Sequence, residues 1–476
     1  MSLRTKTLKG TLWTTVSAVT RAVIQILRLA ILTRFLEKSD FGLVAIVVLV
    51  VGFGHILSDL GVSSSLFSTQ DISQKIYSSL YWVSLLISAA LCLMLIALSS
   101  VVADFYHLPE LKQLIPVMAF ELIFASMGRQ FRIFREKALE FKALAIIDIS
   151  SLVCSLLVAY VLAVKGAGIY SLIFSALFTS LTAGLMLIIT GYRKHPLLFY
   201  INVREGKSFY KIGFYQTGSQ ILEYIASQMD IILIGKLVPL SDLGIYNLIK
   251  QLVQKVALMI NPVITAVAIP VLATFQDDLR ALKAKYFQAH QAVAFVNFGI
   301  YGLLALIGPE VLYFVYGPSY AFFASTLQLL CVWGVFTSVG STVMTLVIIR
   351  GRTDLGLKNT ALRVLINPVF VVIGSFYGIQ GIVVSQAIFS ILFYWLNWSM
   401  IIKPILEKAL SFLEYLQGIA PFLLFSLLVF TGLYLLKLTF DQSQSSAWMC
   451  IGLWTPAFGL LYWLLSRRTF LRLVNS

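Results

Sequence analysis

Fourteen apolar stretches follow one another along this chain, each close to the length of a bilayer-spanning helix, and the first is interrupted by two arginines. A helix crossing a bilayer needs roughly 20 apolar residues. Windows of that kind fall near residues 10–33, 41–62, 77–102, 113–131, 143–164, 169–191, 210–235, 243–272, 291–316, 320–349, 359–377, 380–401, 414–436 and 446–466. Only 12% of residues are charged, whereas about a quarter are in soluble domains. The pattern predicts an all-α integral membrane protein with about 14 transmembrane helices.

Arg21 and Arg28 break the first stretch where interruption is most costly. Measured from the flanking Lys9 and Arg34, Arg21 lies roughly 18 Å from one end and roughly 20 Å from the other, at about 1.5 Å per residue. A cation at that depth costs about 3 kcal/mol, so such residues face a watery cavity or a partner. Thr14, Ser17, Gln25 and Arg28 extend the same helix stripe. A paired cationic stripe at mid-membrane points to movement of something anionic.

Of the 36 lysines and arginines, 25 fall in segments that are cytoplasmic if the N-terminus is, 6 in outer loops (Arg34, Lys38, Lys112, Lys165, Lys236 and Lys437) and 5 within spans. That asymmetry predicts both termini in the cytoplasm. The net charge of +15 is then topology, reinforced by anionic inner-leaflet lipids, and implies no nucleic acid. The first stretch is too long, and carries arginines, for a cleavable signal. The four cysteines sit inside apolar spans without metal-like spacing, so neither metal nor disulfide is expected. Outer loops of no more than about a dozen residues leave no room for a catalytic domain. With no phosphate-cradling glycine loop either, the chain reads as a transporter without a cofactor and not as an enzyme.

The chain also repeats itself at an offset of 202 residues. Ser39-Asp40-Phe41-Gly42 opens span 2 as Ser241-Asp242-Leu243-Gly244 opens span 8, Lys9 matches Lys211, and Gln70-Asp71 has a counterpart four residues out of register in Gln276-Asp277. Each Ser-Asp pair is read as a helix N-cap. Six spans per unit give both units one orientation, related by a pseudo-twofold axis along the membrane normal. The expected organisation is an N-terminal lobe of spans 1–6 (residues 1–203), a C-terminal lobe of spans 7–12 (204–402), and spans 13–14 outside the repeat (403–476).

At the same offset Arg21 maps to Glu223 and Arg28 to Asp230, on a stripe that also holds Gln216, Gln220 and Ser227. Span 8 adds Lys250, Gln254 and Lys255. Candidate substrate-binding residues are therefore Arg21, Gln25, Arg28, Lys250, Gln254 and Lys255. Candidate coupling or gating residues are Gln220, Glu223, Asp230 and Asp59. The acids have three readings that the sequence leaves open: ion pairing with Arg21 and Arg28, proton or cation coupling, and substrate contact. Asp148 reads as a residue snorkelling toward the cytoplasmic end, Arg129, Arg132, Arg135 and Lys137 as a basic loop, and His290 as interfacial.

The stretch Thr33-Arg-Phe-Leu-Glu-Lys-Ser-Asp-Phe-Gly-Leu-Val-Ala45 resembles the signature that follows the first span of bacterial Wzx-type polysaccharide flippases. These belong to the multidrug/oligosaccharidyl-lipid/polysaccharide (MOP) superfamily. Asp59-Leu-Gly-Val-Ser-Ser-Ser-Leu66, Ala103–Leu111, Ile234–Tyr246 and Phe275–Asp278 support the match, which covers spans 1 to 12 and departs from the pattern at Pro239 and at Arg21 and Arg28. The resemblance implies two six-helix lobes with two extra C-terminal helices, a cationic cavity, and alternating access in the bacterial inner membrane. It further implies an undecaprenyl-pyrophosphate-linked oligosaccharide as substrate, with membrane lipids, a coupling H+ or Na+, and glycan polymerase and chain-length proteins as candidate partners. Two alternatives remain: a cation-coupled multidrug antiporter, which would want an acidic cavity, and a membrane glycan polymerase or ligase, which would want a long outer loop.

Overall fold

The computed structural model describes the backbone of residues 3–69, 72–202, 207–406, 410–440 and 447–475. Within these, the side chains of 3–12, 64–65, 68, 207–215, 262–267, 438–440, 447–450 and 468–475 lie outside the description, as do Gln70-Asp71 of the repeat. The matched Lys9 and Lys211 therefore fall outside the described side chains. Fourteen long helices coincide with the expected stretches. They are α1 (Leu3–Leu32), α2 (Lys38–Asp59), α3 (Gln74–Tyr106), α4 (Leu111–Lys137), α5 (Phe141–Val164), α6 (Tyr170–Gly191) and α7 (Lys207–Leu237). The second half holds α8 (Leu240–Ala273), α9 (Leu279–Leu306), α10 (Ala324–Ile349), α11 (Thr353–Ser375), α12 (Gly378–Ile405), α13 (Phe412–Phe440) and α14 (Ala447–Asn475). Among the described residues, eleven of these, all but α7, α8 and α14, are long and apolar enough to cross a membrane, and no strand is present. The protein is an all-helical, multi-pass membrane protein.

Helix ends follow the side chains that can satisfy free backbone amides. Ser73 accepts a hydrogen bond from the Ile76 amide to start α3, and Asp278 accepts from Arg280 and Ala281 to start α9. The Ser39-Asp40 pair acts differently from a simple cap. Glu37 is the extended residue before α2, and Asp40, three positions into the turn, reaches back to accept from the Glu37 amide at 3.1 Å. That is a capping box, which needs an acid at the third helical position. Three expected boundaries also move. α4 runs on to Lys137, so Arg129 to Lys137 are helical and not a loop; α9 starts at Leu279, which puts His290 deep in the bundle; and Lys437, counted among outer-loop cations, lies buried on α13.

Packing divides the chain into two compact units, Met1–Ile245 and Tyr246–Ser476. The repeat puts the lobe boundary near residue 203. Packing puts it later because α7 lies against α2: the Tyr224 hydroxyl donates to the Leu49 carbonyl at 2.8 Å. At the start of α2 and α8 the repeat-equivalent glycines meet. A Cβ on Gly244 would collide with the Lys38 carbonyl oxygen, and one on Gly42 with the Leu240 carbonyl oxygen.

Within the first unit α1 packs on α5, α5 on α6, and α4 between α3 and α6. Tyr81, Phe131, Leu144, Ile147 and Leu187 form one buried cluster there. Lipid tails are as apolar as leucine, so helices associate through close packing rather than water exclusion. Gly128 and Gly184 make that possible between α4 and α6, where a Cβ on Gly128 would stand 2.9 Å from the Gly184 Cα. In the second unit α9 is central, packing on α10, α13 and α14.

Candidate functional site

Arg21 of α1 donates to the Asp148 carboxylate of α5 at 3.3 Å. One helix turn pair further along, Arg28 donates to the Ser155 hydroxyl, also at 3.3 Å, and Ser155 in turn donates to the Ser175 carbonyl of α6. Both arginine contacts span the same 127 residues of sequence. A constant offset means that α1 and α5 run parallel, as two odd-numbered spans must.

Asp148 has a second partner. Arg132 of α4 reaches its other oxygen, so one carboxylate ties α1, α4 and α5 together. Asp148 is only 9% exposed. An acid this enclosed is stable in a bundle when its charge is met by opposite charge and hydrogen bonds. Snorkelling is therefore not what Asp148 does: its carboxylate is turned into the bundle, toward arginine.

One turn before Arg132, Arg129 donates to the Ser58 hydroxyl at 2.9 Å and stands 3.5 Å from Asp59. Asp59 also accepts from the Ser63 hydroxyl at 2.5 Å, across the break where Leu60 and Gly61 adopt positive φ and α2 gives way to the short helix Val62–Ser68. Deeper along the same helices Glu121 accepts from Ser180 at 3.0 Å and lies 3.7 Å from His55.

These groups border a cavity of about 370 Å³ whose walls include Arg21, Gln25, Arg129, Arg132, Asp148 and Ser180. It holds three guanidinium groups and one carboxylate. Guanidinium presents planar, paired donors that match carboxylate and phosphate oxygens. The cavity can therefore bind an oxyanion through its guanidinium groups; the hydroxyls of Ser151, Thr179 and Ser180 in its walls already donate, to the Asp148 carbonyl, the Ser175 carbonyl and Glu121.

The expected site residues divide between the units. Arg21 and Gln25 share the cavity, Arg28 lies outside its lining and bonds to Ser155 further along α5, and Asp59 holds Arg129 at its edge. Gln220, Glu223 and Asp230 lie on α7, where Glu223 is exposed and Asp230 is buried. Lys250, Gln254 and Lys255 lie on the part of α8 that belongs to the second unit. There the buried Lys250 ammonium sits 5.9 Å from the Tyr246 ring centre and 5.8 Å from that of Trp333. Sequence reasoning passed over Arg129, Arg132 and Asp148. The available sign was the three-residue spacing of the two arginines, which puts both on one helix face if the helix continues beyond 131.

Residues 31–324, more than half of the chain, match the family described as polysaccharide biosynthesis protein. The lipopolysaccharide biosynthesis protein WzxC of Escherichia coli (strain K12) is 25% identical over 430 residues, 89% of this chain and 86% of WzxC. Among solved structures, the lipid II flippase MurJ in its inward closed conformation superposes with a TM-score of 0.76 at 15% identity, covering 98% of this chain and all of MurJ. An inward-facing multidrug resistance MATE family transporter of the MOP superfamily gives 0.59 at 16% identity over 83% of this chain and 100% of that one. The fold is thus the one these MOP-type transporters share, and by the sequence match the chain belongs to the polysaccharide biosynthesis protein family.

Proposed function

We propose that this protein is a lipid-linked oligosaccharide flippase of the bacterial inner membrane. It carries a glycan on a polyprenyl pyrophosphate from the inner to the outer leaflet by alternating access, supplying cell-surface polysaccharide assembly. The observation that carries this reading is the set of three arginines, Arg21, Arg129 and Arg132, around a single carboxylate in an open cavity. Their charges sum to +2, and a pyrophosphate diester brings about two negative charges with oxygens suited to bidentate guanidinium. Family membership and a fold shared with a lipid II flippase support the same substrate class.

The excess of cationic residues in the inner segments supports cytoplasmic termini even with Arg129, Arg132, Arg135 and Lys137 taken as helical and Lys437 as buried, and the parallel course of α1 and α5 agrees with it. Gln220, Glu223 and Asp230 on α7 are the groups available for coupling to H+ or Na+, and Lys250, Gln254 and Lys255 extend the polar surface of the second unit. Glycan polymerase and chain-length proteins would take up the product on the outer side. The test uses proteoliposomes loaded with fluorescent undecaprenyl-pyrophosphate oligosaccharide, with ethidium efflux run in parallel. Flipping without efflux is expected; efflux without flipping would make the protein a drug antiporter. A deletion strain should accumulate the lipid-linked glycan on the cytoplasmic side.

A further inference from the structure

Asp148 stands where an anionic headgroup would have to bind. Its carboxylate accepts from Arg21 on α1 and from Arg132 on α4, and it is the single acid in the wall of the cavity. The third guanidinium of that wall is not saturated. Arg129 Nη1 is buried and makes no hydrogen bond, although Asp59 lies 3.5 Å away. The cavity adjoins all three cations, and the Arg21 side chain is 42% exposed overall. Resting on the flippase reading above, we infer that Asp148 is an internal stand-in for the phosphate: it occupies Arg21 and Arg132 when the cavity is empty, yields them to the headgroup, and displaces the headgroup by returning.

The physical case is competition for shared donors. A carboxylate and a phosphate accept from the same guanidinium N–H groups and repel each other, so Asp148 and the headgroup compete for Arg21 Nη1 and for the two Arg132 nitrogens. A carrier that bound pyrophosphate with no competitor would release it slowly, because charge-assisted bonds are strong. A carboxylate tethered on α5 supplies the competing anion at every cycle without a second solute. Asp148 is in this account a positioning and release residue and does not itself touch the substrate.

The sign of one affinity change decides the matter. Protein in nanodiscs is titrated with undecaprenyl pyrophosphate, and initial flipping rates are measured in proteoliposomes. Asp148→Asn should bind the lipid roughly tenfold more tightly, as expected when a charged competitor for two donors is removed, and flip it more slowly. Asp148→Glu should keep near wild-type affinity. Weaker or unchanged binding by Asp148→Asn would overturn the inference, since it would make Asp148 a scaffold that merely orients the arginines. If Asp148→Asn fails to insert, wild-type protein labelled with carbon-13 aspartate is examined by infrared difference spectroscopy on lipid addition. A shifted aspartate carboxylate band that is lost from the difference spectrum in Asp148→Glu supports displacement, and an unmoved band overturns it. Absence of lipid binding by the wild type would instead sink the flippase reading.

Discussion

In the first unit a group of charged side chains gathers around open space, whereas in the second the enclosed polar groups are mostly amides and hydroxyls in close pairs, with Lys250, Glu310 and Lys437 as buried charges. The first unit sets Arg21, Arg129 and Arg132 against Asp148 and Asp59 around a cavity. The second unit buries amides in couples. Asn359 donates to Asn397 at 2.7 Å, Gln386 to Asn367 at 2.7 Å and Asn297 to Asn261 at 3.3 Å. Its His290 is fully enclosed, with Nδ1 2.9 Å from the Thr342 hydroxyl, Nε2 2.9 Å from the Tyr394 hydroxyl, and its ring stacked on Tyr415 at 4.6 Å. The contrast teaches which polar groups are free to exchange partners. Satisfied, enclosed networks rigidify a bundle; charges beside open space can trade one oxyanion for another.

The sharpest exception in the second unit is ionic, and it offers the largest test. Lys437 of α13 and Glu310, on the short helix Gly308–Tyr316, form a pair at 2.6 Å with side chains 7% and 8% exposed. Removing one partner strands the other charge, at a cost of about 3–5 kcal/mol. Lys437→Met should therefore lower the unfolding midpoint in detergent sharply, and adding Glu310→Leu should restore most of it. Headgroup affinity of the folded fraction should stay unchanged. A change in affinity equal to that in the arginine variants would erase the division between scaffold and site.

The arginine variants come next. Asp148 is paired with both Arg21 and Arg132, so removing either leaves the enclosed carboxylate still matched by the other. Arg21→Ala and Arg132→Ala should reduce flipping in proteoliposomes by roughly 10- to 100-fold, the weight of a charge-assisted hydrogen bond. Their thermal midpoints should move far less than that of Lys437→Met. Midpoints that fall as far would mean the first unit uses its charges as structure.

How much of this was legible in the sequence depends on the scale of the pattern. The helices were, because an apolar run of about 20 residues has few other uses. The need of Arg21 and Arg28 for polar partners was too, because their expense at mid-membrane is local to one helix. Their partners were not. The repeat offered Glu223 and Asp230, but the ion pair that the fold builds for Arg21 is with Asp148, and which helices touch is decided by packing that no single segment records. Arg129 and Arg132 were hidden by their own charge, since cations at the end of an apolar window look like its boundary. Asp148 lies near a helix end in sequence and so invites a snorkelling reading, until α4 is seen to run past it. Lys437 and His290 were misplaced for the same reason: a buried partner lets a polar residue sit where hydropathy alone forbids it.

A smaller effect tests the junction between the repeat halves. Gly42 and Gly244 are equivalent by the repeat, and each presses against backbone at the other's helix start. Gly244→Ala forces two backbones apart, and overpacking of this kind costs about 1–3 kcal/mol. Reduced yield of folded protein and a lower unfolding midpoint are expected, with Leu243→Ala of the adjacent buried position as a comparison that creates space instead. An unaffected Gly244→Ala protein would show that the glycine contact is incidental to assembly.

The smallest expected effect lies in the segment 192–202, which is strapped along the start of α3 outside the membrane-spanning helices. Leu198 and Asn202 amides donate to the Ser78 and Ser79 hydroxyls at 3.0 and 2.8 Å, and Trp82 donates to the Leu198 carbonyl at 2.9 Å. At its head His195 stacks on Phe134 at 4.4 Å while Lys194 pairs with Glu140 at 2.5 Å. Burial, aided by neighbouring Lys194, pushes the His195 pKa below its ordinary 6.5, and the Lys194 hydrogen bond holds Glu140 below its ordinary 4.5. Both folded values are depressed, so both contributions are complete above the ordinary values and are lost as pH falls. His195 loosens the strap first, below 6.5, and Glu140 adds to this only below 4.5. Pairs exposed to this degree contribute from a few tenths to about 1 kcal/mol, so protection of the Leu198 and Asn202 amides should fall roughly two- to fivefold on acidification. Hydrogen exchange corrected for intrinsic rates would measure it. His195→Phe keeps the ring stack and should abolish the dependence between 6.5 and 4.5, and a dependence that survives the substitution would remove His195 from the strap's response to acid.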